Sequence, residues 1–241
     1  MKYLSIDLGI KNLALCIVSL SDNDEKLLSL RKEVKKRKNK KELSEVIADT
    51  NEYLLSSMEI FKWDVKDIGN VWDSMDHLVP SICQCVVEYI HSHNDIDLVL
   101  IERQPAINKN TTILAYALFA HMMKTIDTKL VHGGVKMKFC KMIGFESKVK
   151  TKTKKGKYEQ NKLIAVKTTK HLIDKKIVNY DCKWDETKKK DDLSDALLQA
   201  IGYHVYLPEA IKKRSKPVRK TRKRKQKRNT DLPKKKKRRK R

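Results

Sequence analysis

The feature that most constrains this chain is an alternating segment near its N-terminus that is followed closely by a long apolar run. Residues 3–9 alternate between apolar and polar types, so that Ser5 and Asp7 share one side of a predicted β-strand. Gly9 marks a turn, and the near-continuous apolar run 13–20 predicts a second strand that pairs back on the first. The chain therefore begins with a buried hairpin, and its first strand ends in a carboxylate.

Downstream of this hairpin, segments with helical spacing alternate with short apolar runs typical of strands. One such run ends at the carboxylate of Glu102. The order of the segments predicts an α/β fold in layers, with one mixed sheet flanked by helices. Helical spacing covers residues 71–91, 111–124, 160–173 and 192–206, and strand-like patterns cover 97–102 and 135–142.

The predicted helix over residues 111–124 is apolar on nearly all sides. A helix of this kind is buried against more than one surface. Two arrangements satisfy that requirement: the helix is shared with a second subunit, or it is enclosed within its own domain. The sequence alone leaves both open.

Positive charge dominates the composition and is concentrated at the C-terminus. Lysine and arginine number 55 against 30 acidic residues, which gives a net charge of +25. Residues 212–241 hold 20 of the basic residues and a single acid, Asp231, a composition typical of a disordered tail. Such an excess favours a polyanionic partner, either nucleic acid or an anionic membrane surface.

One sizeable core suits a chain of 241 residues with 40% hydrophobic content. We predict a domain over residues 1–210, with a charged insertion carrying some helix at 21–62, and a disordered basic tail over 211–241. Two roles for the tail stay open: nuclear import, with residues 233–241 as the candidate signal, and nonspecific tethering to DNA. Since no run approaches the roughly 18 apolar residues that span a bilayer and no signal sequence is evident, we expect an intracellular protein that does not bind membranes.

The cysteines are odd in number and show no paired CxxC spacing. The sequence therefore indicates neither a disulfide framework nor a zinc site. Cys83 and Cys85 are interpreted as reduced residues on an apolar segment.

Four carboxylates stand out because of where they lie. Asp7 and Glu102 end predicted strands. Asp192 and Asp195 are three residues apart at the start of a predicted helix, so both project from one side of it. Carboxylates contributed by different elements suit magnesium, which prefers hard oxygen ligands, and paired ions of this kind promote displacement at phosphorus. Such a cluster requires bound cations to cancel the mutual repulsion of its acids.

Simpler explanations stay open for each acid taken alone. In these explanations, Asp7 would simply start a turn, and Glu102 would make an ion pair on the surface. Asp191 and Asp192 cap the N-terminus of a helix, where carboxylates are favoured. The joint placement of the acids favours the metal site.

Three motifs, taken in order, carry a family resemblance. They are Ser5-Ile-Asp7-Leu-Gly9-Ile-Lys11-Asn12-Leu-Ala14, Ile101-Glu102-Arg103-Gln104-Pro105 and Asp191-Asp192-Leu-Ser-Asp195-Ala-Leu197. With these motifs the chain resembles the RuvC-like Holliday junction resolvases, in particular the branch of poxviruses, related large DNA viruses and fungal mitochondria. The match covers roughly residues 1–20 and 60–206.

The resemblance implies a ribonuclease H-like fold, a homodimer with two active sites, and symmetric nicking of four-way DNA junctions with magnesium, for which manganese can substitute. It places Lys162 where such enzymes carry a basic residue that stabilises the charged transition state, although by itself Lys162 is typical of a solvated helix position. Asp191 leaves the alignment of the last motif ambiguous by one residue. The resemblance maps the catalytic, metal-binding acids onto Asp7, Glu102, Asp192 and Asp195.

A lysine-rich segment over residues 148–157 has no apolar anchor and is predicted to be a mobile loop that contacts DNA phosphates. We therefore expect a magnesium-dependent endodeoxyribonuclease, a Holliday junction resolvase acting in DNA recombination, repair or viral genome processing. Its partner is branched double-stranded DNA, with no small-molecule substrate. The alternatives are a ribonuclease H-like nuclease on hybrids or flaps, and a non-catalytic basic nucleic-acid-binding protein. The predicted DNA-binding residues are Lys148, Lys150, Lys152, Lys154, Lys155 and Lys157.

Overall fold

The architecture is a mixed five-stranded sheet with helices on both faces. The structure is a computed structural model and describes residues 1–21, 25–27, 29–30, 40–70, 73–93, 95–146, 153–180 and 184–214, with backbone alone at 40–43, 154 and 207–214. The strands are β1 (Lys2–Leu8), β2 (Asn12–Leu20), β3 (Met58–Asp67), β4 (Leu98–Arg103) and β5 (Thr128–His132). The longer helices are α1 (Lys40–Ser57), α2 (Met75–His91), α3 (Lys109–Met122), α4 (Gly134–Met142), α5 (Lys154–Asp174) and α6 (Lys190–Arg214).

The sheet has the strand order β3-β2-β1-β4-β5. Strands β1, β2 and β3 pair antiparallel, whereas β4 runs parallel to both β1 and β5. The predicted hairpin and the predicted mixed sheet are therefore confirmed. Strand β1 lies at the centre, so its C-terminal end is flanked by elements from distant parts of the sequence.

The two faces of the sheet carry separate cores, as the alternation in β1 requires. Leu4 and Ile6 face one way, into a cluster that includes residues from α2 and α3. Tyr3 faces the other way, into a cluster that includes residues from α1, α4, α5 and α6. Asp7 has the parity of Tyr3 and is therefore on the side of the sheet that α6 covers.

The edge strand β3 was not predicted, because a bulge hides its pattern. Ile17 pairs with Lys62 but the next residue of β2 pairs with Ile60, so Phe61 has no counterpart in the register. Met58, Ile60, Trp63 and Val65 consequently pack into the same core although they do not share one alternating phase. Residues 21–62 were predicted to be a charged insertion with some helix. Helix α1 lies in the second half of this segment, whereas the residues from Met58 onwards belong to the sheet.

The strand predicted over residues 135–142 is wrong, since this segment is helix α4. Its lysines and apolar residues alternate locally, but the buried positions, which include Lys136, Phe139 and Cys140, have the spacing of a helix. The neighbouring strand is β5, which is only five residues long and too short to give a clear pattern. The predicted loop over 148–157 is also wrong at its C-terminal end, because α5 begins at Lys154.

Helix α6 is fixed against the sheet by contacts with both β1 and β4. The Gln199 side-chain amide donates to the carbonyl oxygens of Ile6 at 3.3 Å and Leu100 at 3.2 Å, and to Ser5 Oγ at 3.2 Å. The indole of Trp63 donates to the carbonyl oxygen of Leu193 at 2.9 Å. These buried hydrogen bonds set the first turns of α6 at the C-terminal ends of the two central strands.

Helix α3 is buried along one side only. Leu114, Leu118 and Met122 pack into the core, whereas Ile113 is 51% exposed and Tyr116 is 45% exposed. The described part of its own domain therefore does not enclose the helix. No helix in the described part of the chain combines the length and apolar character needed to cross a membrane.

Residues Met1–Leu207 form one compact unit, and Pro208–Arg241 form a second. The second unit is described only for the last residues of α6. The predicted basic tail otherwise lies outside the described residues.

Candidate active site

The register of the two central strands places the first two predicted acids side by side. Ser5 pairs with Leu100 and Ile6 with Ile101, so one further residue sets Asp7 beside Glu102. Because Ser5 and Leu100 both face α6, the next position of the same parity on each strand carries its carboxylate to that face. The two acids are therefore brought together by sheet geometry, although they are 95 positions apart in the sequence.

The third acid is supplied by α6. Asp195 stands one turn before Gln199, whose amide fixes this part of the helix over β1 and β4. Carboxylate oxygens of Asp7, Glu102 and Asp195 lie within 4.8 Å of one another. We call these three residues the acidic cluster.

The remaining predicted residues lie near the acidic cluster without belonging to it. Asp192 lines the same cavity as the cluster. Asp191 forms a short ion pair with Lys162, which also lines the cavity. Lys162 is thus a partly buried, paired residue rather than a solvated one, and the ammonium lies 5.1 Å from the centre of the Tyr158 ring.

A buried lysine that the sequence analysis missed sits within the acidic cluster. Lys136 Nζ lies 3.1 Å from Glu102 Oε2 and 2.6 Å from Asp195 Oδ2. The lysine side chain is only 11% exposed, and those of Glu102 and Asp195 are each 16% exposed. Lysine is almost never buried unless it is paired, so its type gave no signal. The available sign was indirect: the predicted cluster needed a positive charge to cancel its repulsion.

The electrostatics reflect crowding of negative charge. Burial, followed by the charge of Glu102, raises the pKa of Asp7 well above its usual range. Burial also raises the pKa of Asp195 despite the opposing charge of Lys136. For Lys136 burial alone would lower the pKa, but the charges of Asp195, Glu102 and Asp7 raise it overall. The lysine is therefore held in its charged form, and it does not fully compensate the acids.

The two aspartates at the start of α6 have opposite shifts. Burial and the charge of Asp191 raise the pKa of Asp192. Burial would also raise the pKa of Asp191, but the hydrogen bond and charge of Lys162 outweigh it and lower that pKa. The two residues therefore differ in their surroundings: Asp191 pairs with Lys162, and Asp192 borders the cavity.

The acidic cluster opens into a cavity of about 720 Å³. Its walls carry lysines from four different parts of the chain, together with Tyr158 and several amide side chains. A cavity lined by several cations beside a small group of acids suits a polyanion that must approach closely despite the carboxylates. The lysines that line the cavity are Lys11, Lys136, Lys157, Lys162 and Lys189.

Only part of the predicted DNA-binding segment can be placed. Lys148, Lys150 and Lys152 lie outside the described residues. Lys154 is the first residue of α5, and Lys155 and Lys157 are exposed on its first turn. Of the placed lysines of this segment, Lys157 lines the cavity.

The donor set of the acidic cluster fits a divalent cation. Three carboxylates from three elements offer the hard oxygen ligands that magnesium and manganese prefer, and they leave positions for water. Gly133 leaves room for the carboxylate of Glu102, since a Cβ at this position would overlap with Glu102 Oε1. The site therefore needs glycine for space rather than for an unusual backbone, because Gly133 has helical dihedral angles.

Gly133→Ala is expected to weaken binding of manganese by about 10-fold or more, in the range found when residues adjoining metal ligands are changed. The backbone accommodates alanine, so the carboxylate of Glu102 must move instead. Titration followed by electron paramagnetic resonance (EPR) measures the affinity. Gly134→Ala is the matched control, because its Cβ would meet only the exposed ring of His132 at 2.9 Å. Equal affinities for the two variants would contradict this role for Gly133.

Comparisons with known proteins show the fold. No protein-family model and no curated protein sequence matches the chain. RuvC from Thermus thermophilus is 15% identical with a TM-score of 0.50, over 87% of this chain and 97% of that one. The yeast mitochondrial Holliday junction resolvase Ydc2 is 17% identical with a TM-score of 0.53, over 88% of this chain and 82% of that one. Fowlpox virus resolvase, solved with Holliday junction DNA, is 13% identical with a TM-score of 0.49, over 86% of this chain and 99% of that one. The predicted fold class and the predicted resemblance to RuvC-like proteins are confirmed at the level of fold.

Proposed function

We propose that this chain is a structure-selective endonuclease that resolves four-way DNA junctions with a divalent metal ion. The observation that carries the proposal is the convergence of Asp7, Glu102 and Asp195 in the lining of a cavity that also contains several lysines. The fold is shared with Ydc2, a Holliday junction resolvase, and this supports the choice of substrate. Crowding three partly buried acids is unfavourable, so their presence favours a catalytic protein over a basic binding protein without catalysis.

The acidic cluster would hold magnesium, or manganese in its place, through carboxylate oxygens of all three acids. When bound, the metal would polarise a phosphate oxygen and lower the pKa of a water ligand. In the reaction, a water oxygen attacks phosphorus and the bond from phosphorus to the 3′ oxygen breaks. The products are a 5′ phosphate and a 3′ hydroxyl, which a ligase can rejoin.

The residues around the acidic cluster would position the DNA strand. Lys11, Lys157 and Lys189 line the cavity and are exposed, so they are available to phosphates on either side of the scissile bond. Lys162 is held by Asp191 at the cavity wall, where its charge would stabilise the phosphorane-like transition state. Phosphate contacts of this kind give affinity without sequence information, so junction shape would provide the selectivity.

The proposal is tested with the full-length protein, magnesium and end-labelled substrates at low salt. We expect paired symmetric nicks in a four-way junction, nicks that ligase can seal, and far slower cleavage of linear duplex. Preferential cleavage of an RNA–DNA hybrid or a flap would show that this nucleic acid, and not the four-way junction, is the substrate. Tight binding without cleavage of any of these substrates would favour the non-catalytic alternative.

We also propose that the protein acts as a homodimer through the exposed side of α3. Ile113, Tyr116 and Met123 are each at least 45% exposed and follow helical spacing, so they form an apolar stripe. A stripe of this kind on an otherwise basic protein favours a partner with the same apolar surface, as a twofold interface provides. Two subunits would place two active sites on the two strands that must be nicked.

Tyr116→Glu is expected to weaken dimerisation at least about 30-fold, since a charge in the centre of an apolar interface costs ~2 kcal/mol or more. Sedimentation equilibrium measures the dissociation constant. Ser81→Glu adds the same charge at an exposed position of α2 and serves as the control. A wild-type protein that remains monomeric at high concentration, or a Tyr116→Glu dimer of unchanged affinity, would refute this interface.

A further inference from the structure

We propose that Lys136 is a resident counter-cation of the acidic cluster, which stabilises the metal-free protein and competes with the divalent ion for carboxylate oxygens. The inference rests on the proposed function, because it concerns the metal that the cluster would hold. It goes further in assigning to this chain a built-in cation that limits how tightly the metal binds.

The geometry places the lysine ammonium against two of the three carboxylates that would hold the metal. The ammonium contacts Asp195 Oδ2 at 2.6 Å and Glu102 Oε2 at 3.1 Å. Both partners belong to the acidic cluster, and all three side chains of this network are largely buried. A carboxylate oxygen that accepts a hydrogen bond from an ammonium at these distances is a weaker metal ligand, because the ammonium occupies one of its lone-pair positions and balances part of its charge.

The charges of the site indicate competition rather than simple support. Three carboxylates against one ammonium leave a formal excess of two negative charges. That excess matches a single divalent cation. Without the lysine the excess would be three charges, so the same ligands would attract a divalent ion more strongly. The lysine therefore lowers metal affinity while it keeps the empty cluster from repelling itself.

The position of Lys136 is fixed by the packing of α4 against α6, and not by the ion pairs alone. Gly202 on α6 allows the close approach, since a Cβ there would lie 2.7 Å from the carbonyl oxygen of Val135 and 3.2 Å from the backbone nitrogen of Lys136. The lysine backbone thus stands directly over α6, two turns beyond Asp195. The packing of the backbone therefore keeps the lysine side chain within reach of the acidic cluster.

The test measures manganese binding to the full-length protein without DNA, by EPR or by calorimetry. Lys136→Met removes the ammonium and keeps most of the apolar volume. We expect manganese to bind Lys136→Met at least about 10-fold more tightly than wild type, because the repulsion between the ammonium and the bound cation is removed. Lys138→Met is the matched control, because it removes the same charge from an exposed position on the same helix. Its manganese affinity should stay close to that of wild type.

Thermal unfolding provides a second readout that does not depend on catalysis. In chelator, Lys136→Met should unfold at a lower temperature than wild type, since its buried acids have lost their cation. Added manganese should raise its unfolding temperature by more than it raises that of wild type. If Lys136→Met does not fold in chelator, manganese should restore folding, and failure to do so would overturn the proposal.

Two outcomes separate this inference from the proposed function. If wild type binds manganese through Asp7, as loss of binding in Asp7→Asn would show, but Lys136→Met binds it equally or more weakly, only the competition is refuted. If wild type binds no manganese, or if Asp7→Asn binds it as wild type does, the metal site itself is refuted.

Discussion

Replacing Asp7 with asparagine is expected to lower the rate of junction cleavage by at least about 100-fold while leaving junction binding nearly unchanged. The expected loss exceeds the range of roughly 10- to 100-fold for residues that only support a metal site, because Asp7 is proposed to bind the metal directly. Asparagine has almost the same shape, so the fold should survive. Single-turnover cleavage and electrophoretic mobility shift with the same junction measure the two quantities.

The control for this prediction is Asp76→Asn, which makes the same chemical change at an exposed position in the first turn of α2. Its cleavage rate should match that of wild type. Glu102→Gln and Asp195→Asn should repeat the result for Asp7, since all three acids belong to one cluster. Asp192→Asn tests whether the acid at the cavity edge also binds metal. Cleavage by Asp7→Asn at a wild-type rate would remove the acids from the mechanism.

Deleting residues 212–241 is expected to cause the second large effect, on the affinity for DNA at moderate salt. These residues contain 20 basic side chains and one acid, and so hold most of the excess positive charge. Proteins that make roughly six to ten phosphate contacts lose about 10³- to 10⁵-fold in affinity between about 50 and about 200 mM salt. We expect this steep dependence for the full-length protein and a much shallower one after truncation.

Cleavage by the truncated protein should persist at low salt, because the acidic cluster and the lysine-lined cavity belong to the unit Met1–Leu207. The measurement is the slope of the logarithm of affinity against the logarithm of salt concentration. A variant whose tail lysines and arginines are replaced by glutamine keeps the length and controls for it. An unchanged slope would assign the tail to another task, such as nuclear import. Complete loss of cleavage at low salt would place the tail within the catalytic machinery.

The acidic cluster could be predicted from the sequence because strand parity and strand ends leave clear traces. The alternation around Ser5 and Asp7 fixed which side of β1 carries the carboxylate, and the structure places that side under α6. Glu102 lies near the end of the buried strand β4. This strand pairs with β1 in parallel register, so the two strand ends lie at the same edge of the sheet. Motifs of this kind depend on local geometry, which is what a sequence records most directly.

Two elements were not predicted correctly. The alternating pattern of β3 is interrupted by a bulge, and the sequence of α4 resembles the alternating pattern of a strand. The bulge at Phe61 shifts the phase of β3, so its core-facing residues do not alternate. The lysines of α4 fall at alternate positions next to apolar residues and imitate a strand. In both cases tertiary packing, and not local periodicity, decides the structure.

Lys136 was missed for a different physical reason. Whether a lysine is buried depends on the partners that tertiary structure brings to it, and these are Glu102 and Asp195, which are 34 and 59 residues away in the sequence. The four predicted acids need cations to balance their charge, and bound metal was the source of positive charge that their pattern indicated. The structure supplies one positive charge from the chain itself, and this leaves a smaller charge for the metal to balance.

The most direct test of the central claim is to locate manganese in crystals by anomalous diffraction. Crystals grown or soaked with manganese are predicted to show one strong anomalous peak with carboxylate oxygens of Asp7, Glu102 and Asp195 at about 2 Å, the ordinary distance for such ligands. Crystals of Asp7→Asn should lack that peak or show it greatly weakened. An occupied manganese site elsewhere on the protein, with none among these three carboxylates, would contradict the account.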